Sequence, residues 1–340
     1  MGTYSLIKSI FQTSSCLFSL LTNCVIIVLI FSSSPSKMGS YKYLLCYFSM
    51  LSSFVAFLDL LISPYVYSFG SCAVTIMDLR DTIFEKHSNV AFCLLVFICG
   101  SFGASLFAIA INFIYRYFAL ERKGRLQYFK GKRLVHWISL SLLAGIIESL
   151  LFLFLGPQRE LSDYVRANLR EFYDLDVDKT VYVGWWYWKM ENGNVNLSVD
   201  YLLKFLIMNI SMIIPFFTIV YYGTKSYFKI KTVLSQGESE YSRRLQSQLY
   251  KVLVAQTFIP VVFLFIPTGF FLICPLFGLN IQWSNKPIIS MYSLYIALDS
   301  IPVIFLVDEY RNAFYNFFRR LFLKNEVASV SAFDSNLAIS

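Results

Sequence analysis

Seven stretches of the chain are apolar, nearly free of charge and long: residues 11–31, 43–66, 90–115, 134–155, 205–222, 252–279 and 287–307. A helix needs about 20 such residues to cross the hydrocarbon of a bilayer, and within it every backbone polar group must be paired inside the helix. The pattern therefore predicts an all-α polytopic fold, a seven-helix transmembrane bundle occupying 1–307. Three acids fall inside these stretches, Asp59, Glu148 and Asp299. Between them the polar segments are short, apart from 156–200, which carries eight acids against five bases and is expected to be a long solvated loop. In the remaining segment, 308–340, Phe314, Phe317, Phe318, Leu321 and Phe322 recur at helical spacing beside Arg311, Arg319, Arg320 and Lys324. That spacing predicts a short amphipathic helix lying on the membrane surface.

Charge orients the bundle. The segments after the first, third and fifth stretches and the tail hold 19 of the 29 Lys and Arg residues. Positively charged segments resist translocation, so these are expected to be cytoplasmic, with the N-terminus outside and the tail inside. Composition agrees with a membrane protein: 57% of residues are hydrophobic, 15% charged, and mean hydropathy is +0.59. A soluble enzyme or disordered chain is disfavoured, and the net charge of +8 sits between apolar stretches, which fits a bilayer rather than a nucleic acid. His87 and His136 are the only imidazoles, and the seven cysteines match no metal-ligand spacing. No catalytic constellation and no cofactor is implied.

Four local motifs carry a resemblance. MGSYKYLL at 38–45 enters the second stretch, IYRYFAL at 114–120 closes the third, QLYKVLVAQTFIP at 248–260 opens the sixth, and DSIPVI at 299–304 ends the seventh, followed by Tyr310 and Arg311. Together they resemble the nematode chemoreceptors of the Str class of serpentine receptors, which are G-protein-coupled. The resemblance spans essentially the whole chain. It implies a receptor in the plasma membrane of chemosensory neurons, in the sensory cilium, that takes a small-molecule odorant or metabolite and a heterotrimeric G protein as partners. Two departures stand out. Ser300 follows Asp299 where the family usually has proline, leaving the kink to Pro302. Tyr115-Arg116-Tyr117 replaces the acid-Arg-Tyr of rhodopsin-like receptors, so Arg116 lacks an adjacent carboxylate.

Individual residues admit two readings each. Arg116 is either a G-protein contact, with Tyr115 and Tyr117 around it, or an ordinary basic anchor like Arg122 and Lys123. An acid inside a membrane is costly enough to demand a partner. By helical rise Asp59 and Glu148 lie about 24 and 21 Å along outward-going helices, in the outer half, and Asp299 lies past the midplane on an inward-going one. Asp59 is assigned to a ligand cavity with Val96, Cys99, Phe102 and Gly103 of the third stretch; Glu148 reads foremost as a hydrogen-bonded link between helices. Asp299, Pro260, Pro302 and Arg311 are assigned to the switch that moves on activation, because proline kinks let a helix end swing. Trp185-Trp186-Tyr187-Trp188 is either a lid over the cavity or, the favoured reading, a belt at the headgroup level. Cys72 and Cys93 are placed to bridge, although unpaired membrane cysteines are the simpler reading. Asp174, Asp176 and Asp178 mimic a calcium loop, but Lys179 stands where glycine is required. Asn196-Leu197-Ser198 is a glycosylation sequon close to the fifth stretch. Competing functions are a secondary transporter, disfavoured by the absence of an internal repeat, and a ligand-gated odorant channel, which would place the N-terminus inside.

Overall fold

The structure, a computed structural model, describes residues 3–35, 38–121, 124–191, 194–233, 240–317 and 319. Seven helical spans long and apolar enough to cross a membrane are present among the described residues. The first five are the uninterrupted helices α1 (Thr3–Ser33), α2 (Tyr41–Ile62), α3 (Ser88–Glu121), α4 (Lys132–Leu153) and α6 (Val199–Val233). Several run past the apolar stretch that predicts them, because a helix does not stop where hydrophobicity does. The sixth span is α7 (Glu240–Pro260), a π-helical segment Val261–Phe265 and α8 (Ile266–Leu276). Pro260 and Pro267 bracket that segment; each lacks an N–H, and the freed carbonyls favour a locally widened turn. The seventh span is α9 (Asn285–Leu298) and α10 (Ile301–Leu306), broken at Asp299 and Ser300. A further helical run covers 308–317, the described part of the predicted tail helix; Phe318, Arg320, Leu321, Phe322 and Lys324 lie outside the described residues, as do Arg122 and Lys123.

Helix α3 is the most buried of the spans and α6 the least. Small residues let α4 approach α3 to backbone contact. A methyl group placed on Gly100 would sit 2.0 Å from Ser149 Oγ and 2.6 Å from its backbone nitrogen, and one on Gly145 would sit 2.8 Å from Ala104 Cβ. The Ser141 hydroxyl donates to the Ala104 carbonyl across the same seam at 2.6 Å. In lipid, where apolar surface gains nothing from leaving water, such close packing and interhelical hydrogen bonds supply the adhesion.

One end of the bundle carries a small β-structure that the hydrophobic pattern does not announce. Strands β1 (Tyr65–Phe69) and β2 (Cys72–Asp78) form a hairpin whose turn uses Gly70 at φ 55°, and β3 (Thr180–Trp186), from the long acidic segment, pairs antiparallel with β2. A second hairpin joins β4 (Trp188–Glu191) to β5 (Asn194–Leu197). Amphipathic α5 (Arg159–Tyr173) buries Leu161, Val165, Leu169 and Tyr173, four residues apart each time, and so presents one stripe to the sheet. Gly184 permits the contact: a methyl group there would lie 2.9 Å from Leu161 and 2.7 Å from Val74. We refer to this as the sheet end of the bundle and to the other as the tail end.

The acids of the long segment serve local structure. Asp174 caps α5 in the left-handed region at φ 57°, Asp176 caps the short turn Val177–Lys179, and Asp178 accepts from Arg166 at 2.5 Å. That bond and the guanidinium charge hold the Asp178 carboxyl below the usual range. All seven cysteines are free; Cys72 is buried in β2 while Cys93 is exposed on α3, so the bridge weighed for them is not formed.

Candidate functional site

Beneath the sheet lies a cavity of about 90 Å³. Its roof follows from strand register. Val66 pairs with Thr75 and Thr75 with Val183, a cross-strand row on one face of the sheet; Trp185, two residues further along β3, faces the same way. All four line the cavity, and Val66, Val183 and Trp185 are buried. Trp185 packs edge-on to Phe205 of α6 at 6.0 Å. Of the Trp185–Trp188 run, Trp185 and Trp186 are held in β3, Trp186 and Tyr187 are buried in the core of the sheet end, and Trp188 is half-buried at the start of β4.

The walls are mostly apolar, and the main polar feature is built around Asp59. Gln12 donates to its Oδ2 at 2.7 Å and the Cys16 thiol to the same oxygen at 3.3 Å. Ser63, which closes α2 with φ 47°, donates to Gln12 Oε1 at 3.1 Å. Lys8 donates to the Ser63 carbonyl at 2.6 Å and hydroxyl at 3.0 Å, with its ammonium 3.6 Å from the centre of the Tyr65 ring. An unpaired carboxylate or ammonium here would be severely destabilising; the chain Lys8–Ser63–Gln12–Asp59 supplies each with partners and ties α1 to α2 and β1. Gln12 and Asp59 line the cavity, as do Thr268 and Tyr292, whose hydroxyls meet at 2.9 Å between α8 and α9.

Of the residues assigned to ligand binding from sequence, Asp59, Cys99 and Phe102 line this cavity. Val96 packs into the core under the sheet instead, and Gly103 lies against Glu148, where a methyl group would meet its Cγ at 2.5 Å. Glu148 itself accepts from Ser211 of α6, linking two helices away from the cavity. Gln12 was not singled out by sequence reasoning, and Trp185 was weighed as a lid but assigned foremost to a headgroup belt. A polar amide at the edge of the first apolar stretch is a signal for Gln12; for Trp185 the signal, β-branched and aromatic residues at 180–186, lay in a segment assigned to loop.

At the tail end Arg116 is sealed, 1% exposed. Its guanidinium donates at 2.9 Å to both the backbone carbonyl and the side-chain oxygen of Gln246 on α7, and lies 5.3 Å from the centre of the Tyr41 ring. Tyr115 stacks on Tyr41 at 5.3 Å and donates to the Met38 carbonyl; Tyr117 packs against Tyr222 of α6 at 5.4 Å. Helix α7 has a second tether. Gln248 donates to Asp308 at 2.5 Å, Arg244 pairs with Asp308 at 2.6 Å, Arg311 at 2.5 Å, and Tyr241 donates to Glu309 at 2.6 Å. Burial alone would raise the Asp308 carboxyl; the Gln248 amide and the two guanidiniums outweigh it and hold the group below the usual carboxylate range. Between the two ends, Asp299 accepts from Ser52 at 2.6 Å and Ser300 meets Thr22 at 2.8 Å, so the break in the seventh span is fastened to α2 and α1. Pro302 is buried at the start of α10 and Pro260 closes α7.

The arrangement has a cavity under the sheet, a helical span interrupted by a π segment beside it, and a cluster of polar contacts at that span's far end. Among the described residues no cluster of His, Cys, Asp and Glu could hold a metal ion. A family model described as the serpentine type 7TM GPCR chemoreceptor Str matches residues 8–315. The chain is 29% identical over 303 residues to serpentine receptor class r-10 of Caenorhabditis elegans, covering 87% of each chain. It is 28% identical to G-protein coupled receptor str-217 of the same species, over 88% of this chain and 86% of that one, and 27% identical to serpentine receptor class r-10 of Caenorhabditis briggsae, over 88% and 87%.

Proposed function

This chain belongs to the serpentine 7TM GPCR chemoreceptor Str family, and we propose that it is a chemosensory receptor whose ligand binds in the cavity under the sheet and whose tail end activates a heterotrimeric G protein. In this reading the sheet end faces outward and the basic tail end the cytoplasm of a sensory cilium. The observation that carries it is that one helical span joins the two sites. Leu264, Thr268, Phe271 and Leu272 of the sixth span line the cavity, and the same span runs through the π segment to Gln246 and Gln248 at the tail end.

A ligand can shift a two-state equilibrium only by binding one state better. Filling the cavity presses on Leu264 inside the π segment and on Thr268 just past it, where the backbone ladder is already interrupted and rearrangement costs least. Outward rotation of α7 then separates Gln246 from Arg116 and Gln248 from Asp308, opening the basic face to a G protein. The cavity suits a small ligand: at about 90 Å³ it is smaller than an apolar cavity of about 150 Å³ that admits benzene. Its apolar walls favour an organic molecule with one or two acceptors or donors for Gln12 and Asp59.

The test is a reporter-cell screen of small volatile and soluble compounds, with Cys99→Leu as the control that fills the cavity. Compounds that activate the wild type should lose their effect in Cys99→Leu at equal surface expression. Undiminished potency in that variant would move the ligand elsewhere.

A further inference from the structure

The sheet and α5 close the cavity from the side that faces water in the reading above. The opposite route is through the wall between α1 and α9. A crevice of about 210 Å³ lies there, lined on α1 by Tyr4, Ile7, Lys8 and Phe11 and on α9 by Ile289, Ser290 and Ser293. Two of these side chains, Ile289 and Ser293, also line the ligand cavity, so crevice and cavity are separated by a single layer of side chains. Ile289 and Ser293 are buried, whereas Ile7, at 60% exposure, Phe11 and Ser290 face out of the bundle toward the hydrocarbon. Ser293 spends its hydroxyl on the Ile289 carbonyl of its own helix, and among the described residues no hydrogen bond joins α1 to α9 at this level. At Phe11, Ile289 and Ser293 the wall is closed without a hydrogen bond between the helices, and the Lys286–Tyr4 ring contact sits at its rim, so the packing can reform after a small molecule passes.

We infer that ligand reaches the cavity laterally from the outer leaflet through the α1–α9 crevice, and that its chemical class is accordingly neutral, membrane-partitioning organic molecules. This rests on the cavity being the ligand site. Charge at the rim supports the class. Lys286 stands 4.7 Å over the Tyr4 ring and Lys8 is held on Ser63 beside it, so a cationic amine meets two ammonium groups on the way in. A neutral compound dissolved among the lipid tails meets Ile7, Phe11 and Ile289 and is concentrated by the bilayer before it binds. Ser290 lines the crevice only, and its exposed side chain can be enlarged without disturbing the packed interior.

The probe is methyl methanethiosulfonate, small and neutral, whose methylthio group Cys99 captures as methanesulfinate leaves. The full-length receptor in liposomes is treated, and each cysteine peptide is followed by mass spectrometry. Exposed Cys93 on the same helix reports the reagent concentration in the membrane. Ser290→Trp should slow modification of Cys99 roughly tenfold, a change of one decade in rate, while Cys93 and the Ser290→Ala control keep the wild-type rate. The charged reagent 2-(trimethylammonium)ethyl methanethiosulfonate should leave Cys99 untouched. If Ser290→Trp leaves the Cys99 rate unchanged, or the charged reagent modifies Cys99 as fast as the neutral one, lateral access is wrong and the cavity assignment stands. If Cys99 is silent to the neutral reagent in the wild type, access and cavity assignment both fail.

Discussion

Arg116 shows how a membrane protein can hold a guanidinium without a carboxylate. Its charge is met by two oxygens of one residue, Gln246, and by the face of Tyr41. Hydrogen bonds to a charged group contribute about 1.5–3 kcal/mol each, against about 3–5 for breaking a buried ion pair. Together the two bonds are comparable to an ion pair, but they can be released one at a time. Gln246→Ala removes one of the two bonds and leaves the backbone carbonyl, so the resting state should lose about 1.4 kcal/mol or more and basal G-protein activation should rise by about tenfold in equilibrium constant. Arg116→Ala differs, because it also removes the cation proposed to meet the G protein: agonist-dependent activation should be lost while surface expression persists. Measuring ligand-free and agonist-driven nucleotide exchange in both variants separates the roles. Equal basal activity in wild type and Gln246→Ala would show that this contact is not the latch.

Helix-scale order was largely legible in the sequence, and the exceptions have physical reasons. Seven charge-poor stretches gave seven spans, since a continuous apolar run in lipid can pair its backbone within itself only as a helix, and that requirement is written in composition. Asp59 and Asp299 declared themselves by their cost, and Asp59, Cys99 and Phe102 meet at one cavity. Val96 and Gly103 do not, because the helical face that an α3 residue occupies is set by how α3 is rotated against α4, and that rotation is fixed by small residues whose partners lie 40 positions or more along the chain. The sheet was missed for a different reason. Its strands come from two distant segments, and the β2–β3 pairing joins residues about 100 apart that no local pattern connects; polar α5 and acidic turns conceal β-forming runs that are short and flanked by charge. The α3–α4 seam gives the prediction at this scale. Gly100→Leu drives a side chain into the Ser149 backbone, which cannot move aside as a side-chain tip could. Overpacking of this kind costs about 1–3 kcal/mol or more, so the purified variant should melt several degrees lower than wild type in a thiol-reactive dye assay. Gly269→Ala, where a methyl group meets nothing within 4 Å, is the matched control.

At the scale of the whole molecule the two ends are chemically unlike. The sheet end is a covalently unbridged cap of strands and an amphipathic helix over an apolar cavity; the tail end gathers Arg125, Arg133, Arg244 and Arg311 around the ends of α3, α4, α7 and the tail helix. A cationic surface of this kind is costly to translocate and is drawn to anionic headgroups on the cytoplasmic leaflet. The proposed orientation, with the termini on opposite sides, the cavity outward and the Arg116 cluster inward, rests on that asymmetry and on the odd number of spans. The alternative of a ligand-gated odorant channel requires the inverse: an inward N-terminus and a cap facing the cytoplasm. Epitope tags on both termini distinguish the two in intact cells. Antibody should stain only the N-terminal tag before permeabilisation and both afterwards. A C-terminal tag reachable in intact cells would leave Arg116 and Gln246 facing away from any G protein, and the link between cavity and latch would have to be read as the gate of a pore.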